Sequence, residues 1–324
     1  MSNEAILWIV FNVVVAGLLY LDLKVINRHA HVVTFREAAL WSVVWIGLAL
    51  LFNLGIYQFM GKQKALEFLT AYVIEKSLSV DNLFIFVMIF SHFGVEPKYQ
   101  PRILHWGILG ALVMRFVLIL AGVQLISSFH WIIYIFGAFL VYTGIKMALT
   151  GDQKIEPEEN ALLRLFRRFL PFTKERSGED FFVKKGDVWR ATPLFAALIV
   201  VEASDLVFAV DSIPAVLSIT TNTFIVYTSN VFAILGLRAL YFLLAGVMGM
   251  FRYLRIGLSV VLCYVGVKML LMGIYKIHTG VSLGIVLGIL AVSILASVLI
   301  KEKIEDEPGG GDEQDTGGGK DSQI

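Results

Sequence analysis

The chain has 324 residues, of which 57% are hydrophobic and 16% are charged, and its formal net charge is +1. Soluble domains are about 45–50% apolar and about 25% charged, so this composition excludes an ordinary soluble protein and predicts a polytopic membrane protein. The near-neutral charge and the lack of a basic patch exclude nucleic acid as an expected partner. The single cysteine, Cys263, excludes an internal disulfide and a Cys-x-x-Cys redox pair.

Apolar segments long enough to cross a bilayer, at about 20 residues each, predict nine transmembrane helices. They lie at residues 5–26, 38–60, 66–94, 103–127, 130–150, 193–219, 222–248, 255–274 and 278–300. The chain is therefore predicted to fold as an all-α, polytopic membrane helix bundle, with the lipid bilayer as its surroundings.

Lysine and arginine concentrate in alternate loops, and this bias predicts the orientation. It places the N-terminus outside an inner (cell) membrane and the 151–192 loop and the C-terminus in the cytoplasm. Within that loop, residues 162–170 have the pattern of an interfacial helix, and residues 181–189 that of a short hairpin turning at Gly186. The acidic, glycine-rich tail at 301–324 is predicted to be disordered.

An internal repeat divides the predicted bundle. Residues 75–82 match residues 205–212, Arg115 matches Arg238, and residues 142–149 match residues 264–271, in the same order on three successive spans. Since three is an odd number of spans, consecutive copies enter the membrane from opposite sides, which is a frequent plan of secondary transporters.

This repeat predicts six parts of the chain, which are two N-terminal helices, a first three-helix repeat, a cytoplasmic loop, a second three-helix repeat, a last helix and the tail. Their boundaries are 1–62, 63–150, 151–192, 193–275, 276–300 and 301–324.

Five carboxylates fall near the middle of the third and sixth predicted spans. They are Glu75, Asp81, Glu202, Asp205 and Asp211. Each costs roughly 2.5–3.5 kcal/mol when it faces lipid, so these side chains are expected to face one another, cations or water. The deep cations Lys76, Arg115 and Arg238 leave about two negative charges in excess. A bound divalent cation would neutralise this excess, and protonation of two acids would do so too.

The donor atoms of the two motifs are carboxylate, amide and hydroxyl oxygens, which suit Mg²⁺, Ca²⁺ or Mn²⁺. The predicted metal-binding residues are Glu75, Asp81, Asn82, Glu202, Asp205 and Asp211. The predicted supporting residues are Lys76, Ser204, Ser212, Arg115 and Arg238. We expect no catalytic residue and no permanently bound cofactor.

Helix geometry leaves two arrangements of these acids open. Glu202 and Asp205, three residues apart, share a helix face, whereas Asp205 and Asp211, six apart, lie about 240° from each other. Pro214 removes a backbone hydrogen bond and predicts local unwinding beside Asp211. In the alternative arrangement each acid faces a different neighbour, including Arg115 or Arg238, and a purely structural ion-pair network remains a second interpretation.

Residues 75–82, 202–215 and 228–243 resemble the signature of TerC-family membrane proteins, and the resemblance extends over residues 5–300. It implies a place in the LysE-like transporter superfamily and export of Mn²⁺ from the cytoplasm. It also implies that Glu75, Asp81, Glu202, Asp205 and Asp211 are the acidic positions of the metal pathway. Older names in the family point to tellurium resistance and redox modulation.

The sequence thus predicts a divalent metal cation transporter rather than an enzyme, with Mn²⁺ as the expected substrate and proton coupling left open. One alternative is a membrane redox modulator or a component of tellurium resistance or stress response. A weaker alternative is an intramembrane aspartyl protease with Asp81 and Asp211 as its dyad, because the chain has no Gly-x-Gly-Asp motif. The oligomeric state is left open.

Overall fold

The computed structural model of the chain describes ten helices and one two-stranded hairpin. The described residues are 3–21, 33–149, 164, 171, 173, 180–185, 188–245, 252–275 and 277–299. A few side chains within these ranges, including that of Asp81, lie outside the description.

The elements follow one another along the chain with short connections in each half of the bundle. They are α1 (Asn3–Leu21), α2 (Phe35–Met60), α3 (Lys62–His92), α4 (Gln100–Ser128), α5 (Ile132–Leu149), β1 (Phe182–Lys185), β2 (Val188–Ala191), α6 (Pro193–Leu217), α7 (Thr223–Leu235), α8 (Leu237–Ala245), α9 (Arg252–Leu270) and α10 (Thr279–Leu299).

The predicted all-α membrane architecture is confirmed, but the count of nine spanning helices is not. Among the described residues, five helices are long and apolar enough to cross a membrane, and they are α2, α4, α5, α6 and α10. The pair α7 and α8 makes a sixth candidate, bent by 41°. Helix α3 has 31 residues but carries several charged side chains, which lower its mean hydropathy.

Sequence signals explain where several helices begin and end. The Thr34 side chain accepts a hydrogen bond from the Glu37 backbone N–H at 3.4 Å and so caps the start of α2. The Asn222 side chain caps α7 by accepting from the Ile225 N–H at 3.1 Å. Gly61 has φ of +87°, a conformation that favours glycine, and it ends α2 one residue before α3 begins.

The predicted hairpin in the loop is confirmed. Strands β1 and β2 pair antiparallel, with Phe182 opposite Ala191 and Lys185 opposite Val188. The predicted turn at Gly186 lies outside the described residues, as do the tail at 301–324 and the predicted helix at 162–170 except for Arg164.

The unwinding predicted beside Asp211 is wrong. Helix α6 runs without interruption from Pro193 through Asp211 and Pro214 to Leu217. Pro214 is tolerated because it stands in the last turn, where the helix ends three residues later and only one backbone hydrogen bond is lost.

The break occurs instead in the matching part of the second repeat, at Gly236 between α7 and α8. The two helices meet there at 41°, and both are largely buried. A broken helix at membrane depth leaves backbone carbonyls that need donors from neighbouring residues.

The direction of packed helices can be read from their contacts. Gly107 and Gly122 of α4 lie against Val201 and Leu217 of α6, so these two helices run in the same direction. Helix α3 likewise runs parallel to α7 and α8, because Phe68 contacts Phe232 and Phe90 contacts Tyr241.

Helices α5 and α9 form an antiparallel pair. Gly137 lies against the Gly266 backbone, whereas Gly144, later in α5, lies against Ser259 and Cys263, earlier in α9. These three pairings together have the relative directions that an inverted repeat requires, since α3, α4 and α5 each run opposite to their counterparts α6, α7–α8 and α9. The repeat boundaries themselves stay a prediction.

Candidate functional site

Arg115 is the centre of a buried ion-pair network. It lies near the midpoint of α4, and 2% of its surface is exposed. Its Nε donates to Asp205 Oδ2 at 3.0 Å, and its Nη2 donates to Asp205 Oδ1 at 2.8 Å. Its Nη1 pairs with Glu75 Oε1 and lies 3.5 Å from Asn230 Oδ1. One guanidinium therefore joins α3, α4, α6 and α7.

The charge of this network is not balanced. Glu75, Asp205 and Arg115 as ionised groups carry one net negative charge, and both acids are almost completely buried. Within the described residues, Glu75 Oε2 and Asn230 Nδ2 have no hydrogen-bond partner although both atoms are buried. The network thus contains unused oxygen and amide groups beside an excess of negative charge.

Glu202 adds a further carboxylate to the same helix face as Asp205. It lies three residues before Asp205 on α6 and interacts with it electrostatically. Its Oε1 lies so close to the α4 backbone that a Cβ placed on Gly110 would be 2.1 Å away. Its Oε2 is buried and has no hydrogen-bond partner among the described residues. A glycine at position 110 therefore makes the space in which this carboxylate lies.

Asp211 faces a different neighbour. Its Oδ1 accepts a hydrogen bond from Thr143 Oγ1 of α5 at 3.3 Å, and Lys146, one turn later on α5, interacts with it electrostatically. Because Asp205 and Asp211 lie on different faces of a continuous α6, only Asp205 reaches Arg115.

Lys76 lies next to Glu75 in sequence but points to the break in the second repeat. Its Nζ donates to the carbonyl oxygen of Ala233 at 3.1 Å. A Cβ placed on Gly236 would be 2.6 Å from that Nζ. The ammonium therefore neutralises the partial negative charge at the carbonyl end of α7.

Arg238 is buried on α8, where it interacts electrostatically with His105 of α4. Both ring nitrogens of His105 are buried and lack a hydrogen-bond partner among the described residues. The side chain of Asp81 lies outside the description, so its predicted place near these groups stays a prediction.

The remaining predicted residues have local roles or none that the contacts define. Ser204 Oγ donates to the Val200 carbonyl within α6 at 2.8 Å. Ser212 Oγ is buried without a partner among the described residues, and Asn82 is buried on α3.

The structure therefore brings together Glu75, Asp205 and Arg115, with Glu202 adjacent, and holds Asp211 apart on the α5 side. In the described part of the chain, no group of three or more Asp, Glu, His or Cys side chains is placed to hold a metal ion. This is the arrangement in which separate acids face separate neighbours.

Two residues of this site carry no obvious sequence signal. Gly110 is one of several glycines in α4, and only the position of Glu202 distinguishes it. Thr143 lies in the repeated segment 142–149, so the repeat is the signal that could have identified it. The polar Asn230, within an apolar helix, is the kind of residue that bonds between membrane helices.

Comparison with known proteins decides the family. The sequence profile of the "Integral membrane protein TerC family" matches residues 60–305. The chain belongs to the TerC family. This match covers both predicted repeats and every residue of the Arg115 network.

Relatives of this TerC-family chain match it over nearly its full length. An "Uncharacterized membrane protein STKORF319" of Myxococcus xanthus is 50% identical over 90% of this chain and 92% of its own length. The "Putative membrane-bound redox modulator Alx" of Escherichia coli K12 is 47% identical over 94% of this chain and 98% of its own length. No solved structure shows a significant match to the chain.

Proposed function

We propose that this TerC-family chain is a multi-pass membrane transporter that moves a divalent cation, with Mn²⁺ as the best-fitting substrate, out of the cytoplasm. The single observation that carries this proposal is the excess of carboxylate around Arg115 in the middle of the bundle. Ionisable groups at that depth are costly and usually mark an ion pathway.

The chemistry of the donors supports a hard cation. Glu75, Asp205 and Glu202 offer carboxylate oxygens, and Asn230 offers an amide oxygen, as Mg²⁺, Ca²⁺ and Mn²⁺ prefer. The preference for Mn²⁺ among these ions comes from the family resemblance. Asp81, Asn82, Asp211 and Ser212 would be further positions along the same pathway.

The arrangement of helices supports alternating access. Helix α3 of one predicted repeat and α6 of the other bring Glu75 and Asp205 to one guanidinium, so the carboxylates lie where the two repeats meet. In transporters with inverted repeats, the substrate site lies at that interface, and the repeats move against each other around it. The same carboxylates would carry protons in the return step, and the N-terminus would face the outside of the inner membrane.

The function is tested by reconstituting purified protein in liposomes that contain an Mn²⁺-quenched fluorophore. We expect saturable Mn²⁺ entry, with Mg²⁺ and Ca²⁺ as competitors that rank the selectivity. Glu202→Gln should lower the rate, whereas Glu96→Gln, at an exposed pair with Lys98, should not. Flux equal to that of protein-free liposomes would contradict a transport function.

A second candidate function is the membrane redox modulation named for the Alx relatives. The relevant group in this chain is Cys263, a half-buried thiol whose Sγ lies 3.9 Å from the Val141 carbonyl oxygen. Since it is the one cysteine of the sequence, thiol chemistry would need a second thiol from outside the chain. The Arg115 network would have no part in such chemistry.

A further inference from the structure

Arg115 fills the space between Glu75 and Asp205 that a cation bound to both carboxylates would need. Its guanidinium uses both oxygens of Asp205 and one oxygen of Glu75. The side chain reaches these acids from α4, while the acids belong to α3 and α6. The bound cation of this conformation is therefore part of the protein itself.

A transported ion and the guanidinium cannot hold these oxygens together. Divalent cations bind oxygen ligands at about 2.0–2.6 Å and require several of them around the ion. The Arg115 nitrogens already lie 2.8 and 3.0 Å from the two Asp205 oxygens. A metal ion in contact with the same oxygens would overlap the guanidinium, so one must leave when the other binds.

The charges favour the exchange. Arg115 supplies one positive charge, whereas Glu75, Asp205 and the adjacent Glu202 supply three negative charges when ionised. Glu75 Oε2 and Glu202 Oε2, both without hydrogen-bond partners in the described part of the chain, are free to accept a cation. A divalent ion neutralises one more charge than the guanidinium does.

We propose that Arg115 is a tethered counter-cation that occupies Glu75 and Asp205 in the unloaded protein and is displaced when the substrate cation binds. This inference rests on the proposed function and adds a competitor within its site. In the unloaded state, Arg115 keeps the two acids from standing uncompensated at membrane depth. Its release breaks the link among α3, α4 and α6, and so couples cation loading to movement between the two repeats.

The test compares Mn²⁺ binding by purified wild-type protein and Arg115→Gln in detergent, by isothermal titration calorimetry. An occupied site lowers the apparent affinity by the fraction of time that it is blocked, so Arg115→Gln should bind Mn²⁺ about tenfold more tightly or better. Arg102→Gln removes the same charge from α4 at a site where the guanidinium lies over Phe181, and it should keep the wild-type affinity.

A double variant shows whether the gain depends on the vacated acids. Glu75→Gln combined with Arg115→Gln removes one acid together with the arginine and leaves the charge of the pair unchanged. We expect it to lose the tighter Mn²⁺ binding of Arg115→Gln. Equal tightening in both variants would contradict displacement from Glu75.

A measurement on the wild-type protein does not depend on the folding of any variant. Infrared difference spectra with and without Mn²⁺, on protein carrying isotope-labelled arginine, should show a shifted guanidinium band. Arg115→Lys should lack that band shift.

Two results would overturn the inference while leaving transport intact. They are a guanidinium band that does not respond to Mn²⁺, and an Arg115→Gln affinity equal to or weaker than that of a wild type that transports. Either would make Arg115 a permanent anchor. Absence of Mn²⁺ flux in wild-type liposomes would instead contradict the proposed function, and the inference would fall with it.

Discussion

The Lys76 ammonium of α3 donates a hydrogen bond of 3.1 Å to the Ala233 carbonyl oxygen, three residues before the break at Gly236. The side chain next to Glu75 thus stabilises the bend in the opposite repeat. Because the carbonyl end of a helix carries partial negative charge, the ammonium satisfies a group that the bend leaves short of donors.

We expect Lys76→Met to lower the free energy of unfolding by about 1.5–3 kcal/mol, the range for a hydrogen bond to a charged group. The measurement is unfolding in detergent followed by tryptophan fluorescence. Lys64→Met is the control on the same helix, since its pair with Glu67 is partly exposed and should be worth less than about 1 kcal/mol. Equal losses in both variants would show that the contact with Ala233 has no special weight.

Gly110→Ala should impair transport without preventing membrane insertion. The new Cβ would lie 2.1 Å from Glu202 Oε1, so the carboxylate must move away from α4. A displacement that costs ~1.4 kcal/mol in cation binding corresponds to about a tenfold loss of affinity. The initial rate of Mn²⁺ entry into liposomes measures this effect.

The matched control is Gly284→Ala in α10, where an added Cβ meets no atom within 4 Å. This variant should keep the wild-type rate and gain up to about 1 kcal/mol from the better helix propensity of alanine. A wild-type rate in Gly110→Ala would mean that the position of Glu202 does not matter for transport.

Asp205→Asn and Asp211→Asn should differ sharply in stability. Asp205→Asn removes the acid that holds Arg115 at two points, and loss of one partner of a buried pair costs about 3–5 kcal/mol. Asp211 loses only a hydroxyl contact and the attraction of Lys146, so its variant should unfold near the wild-type temperature. Thermal unfolding of the two variants side by side is the check, and similar unfolding temperatures would argue against the Arg115 network as a structural centre.

Asp81→Asn and Asp211→Asn should both abolish Mn²⁺ efflux while the protein still inserts in the membrane. The reason is that each removes an acid of the predicted pathway that no Arg115 contact requires. Intracellular manganese measured by mass spectrometry in expressing cells reports the effect, and the exposed Asp180→Asn serves as the control. Unchanged efflux in both variants would remove these acids from the pathway.

Cys263→Ser should retain full Mn²⁺ transport and cellular activity. The thiol packs between α9 and Gly144 of α5, away from the acids that Arg115 holds. Transport in liposomes and the cellular manganese content measure the outcome. A complete loss of cellular activity with intact Mn²⁺ flux would favour a thiol-based role instead.

Several features of the fold followed directly from the sequence. Apolar length predicted a helix in each of the nine segments, and the turn pattern at 181–189 predicted the hairpin β1–β2. The location of helix distortion was predicted wrongly, because a proline in the last turn of α6 is cheap, whereas the α7–α8 break is supported by Lys76 from another helix. A local rule about proline cannot detect a donor that comes from elsewhere in the chain.

The sequence by itself determined that the chain is a helical membrane protein, which residues carry charge at membrane depth, and that Glu202 and Asp205 share a face. These conclusions need only composition, span length and the 3.6-residue helical period. The tertiary structure alone decided that Arg115 takes Glu75 and Asp205 together, that Asp211 turns to Thr143, and that Gly110 makes room for Glu202. The physical reason is that ion pairing depends on how packed helices rotate relative to one another, and no single helix encodes that rotation.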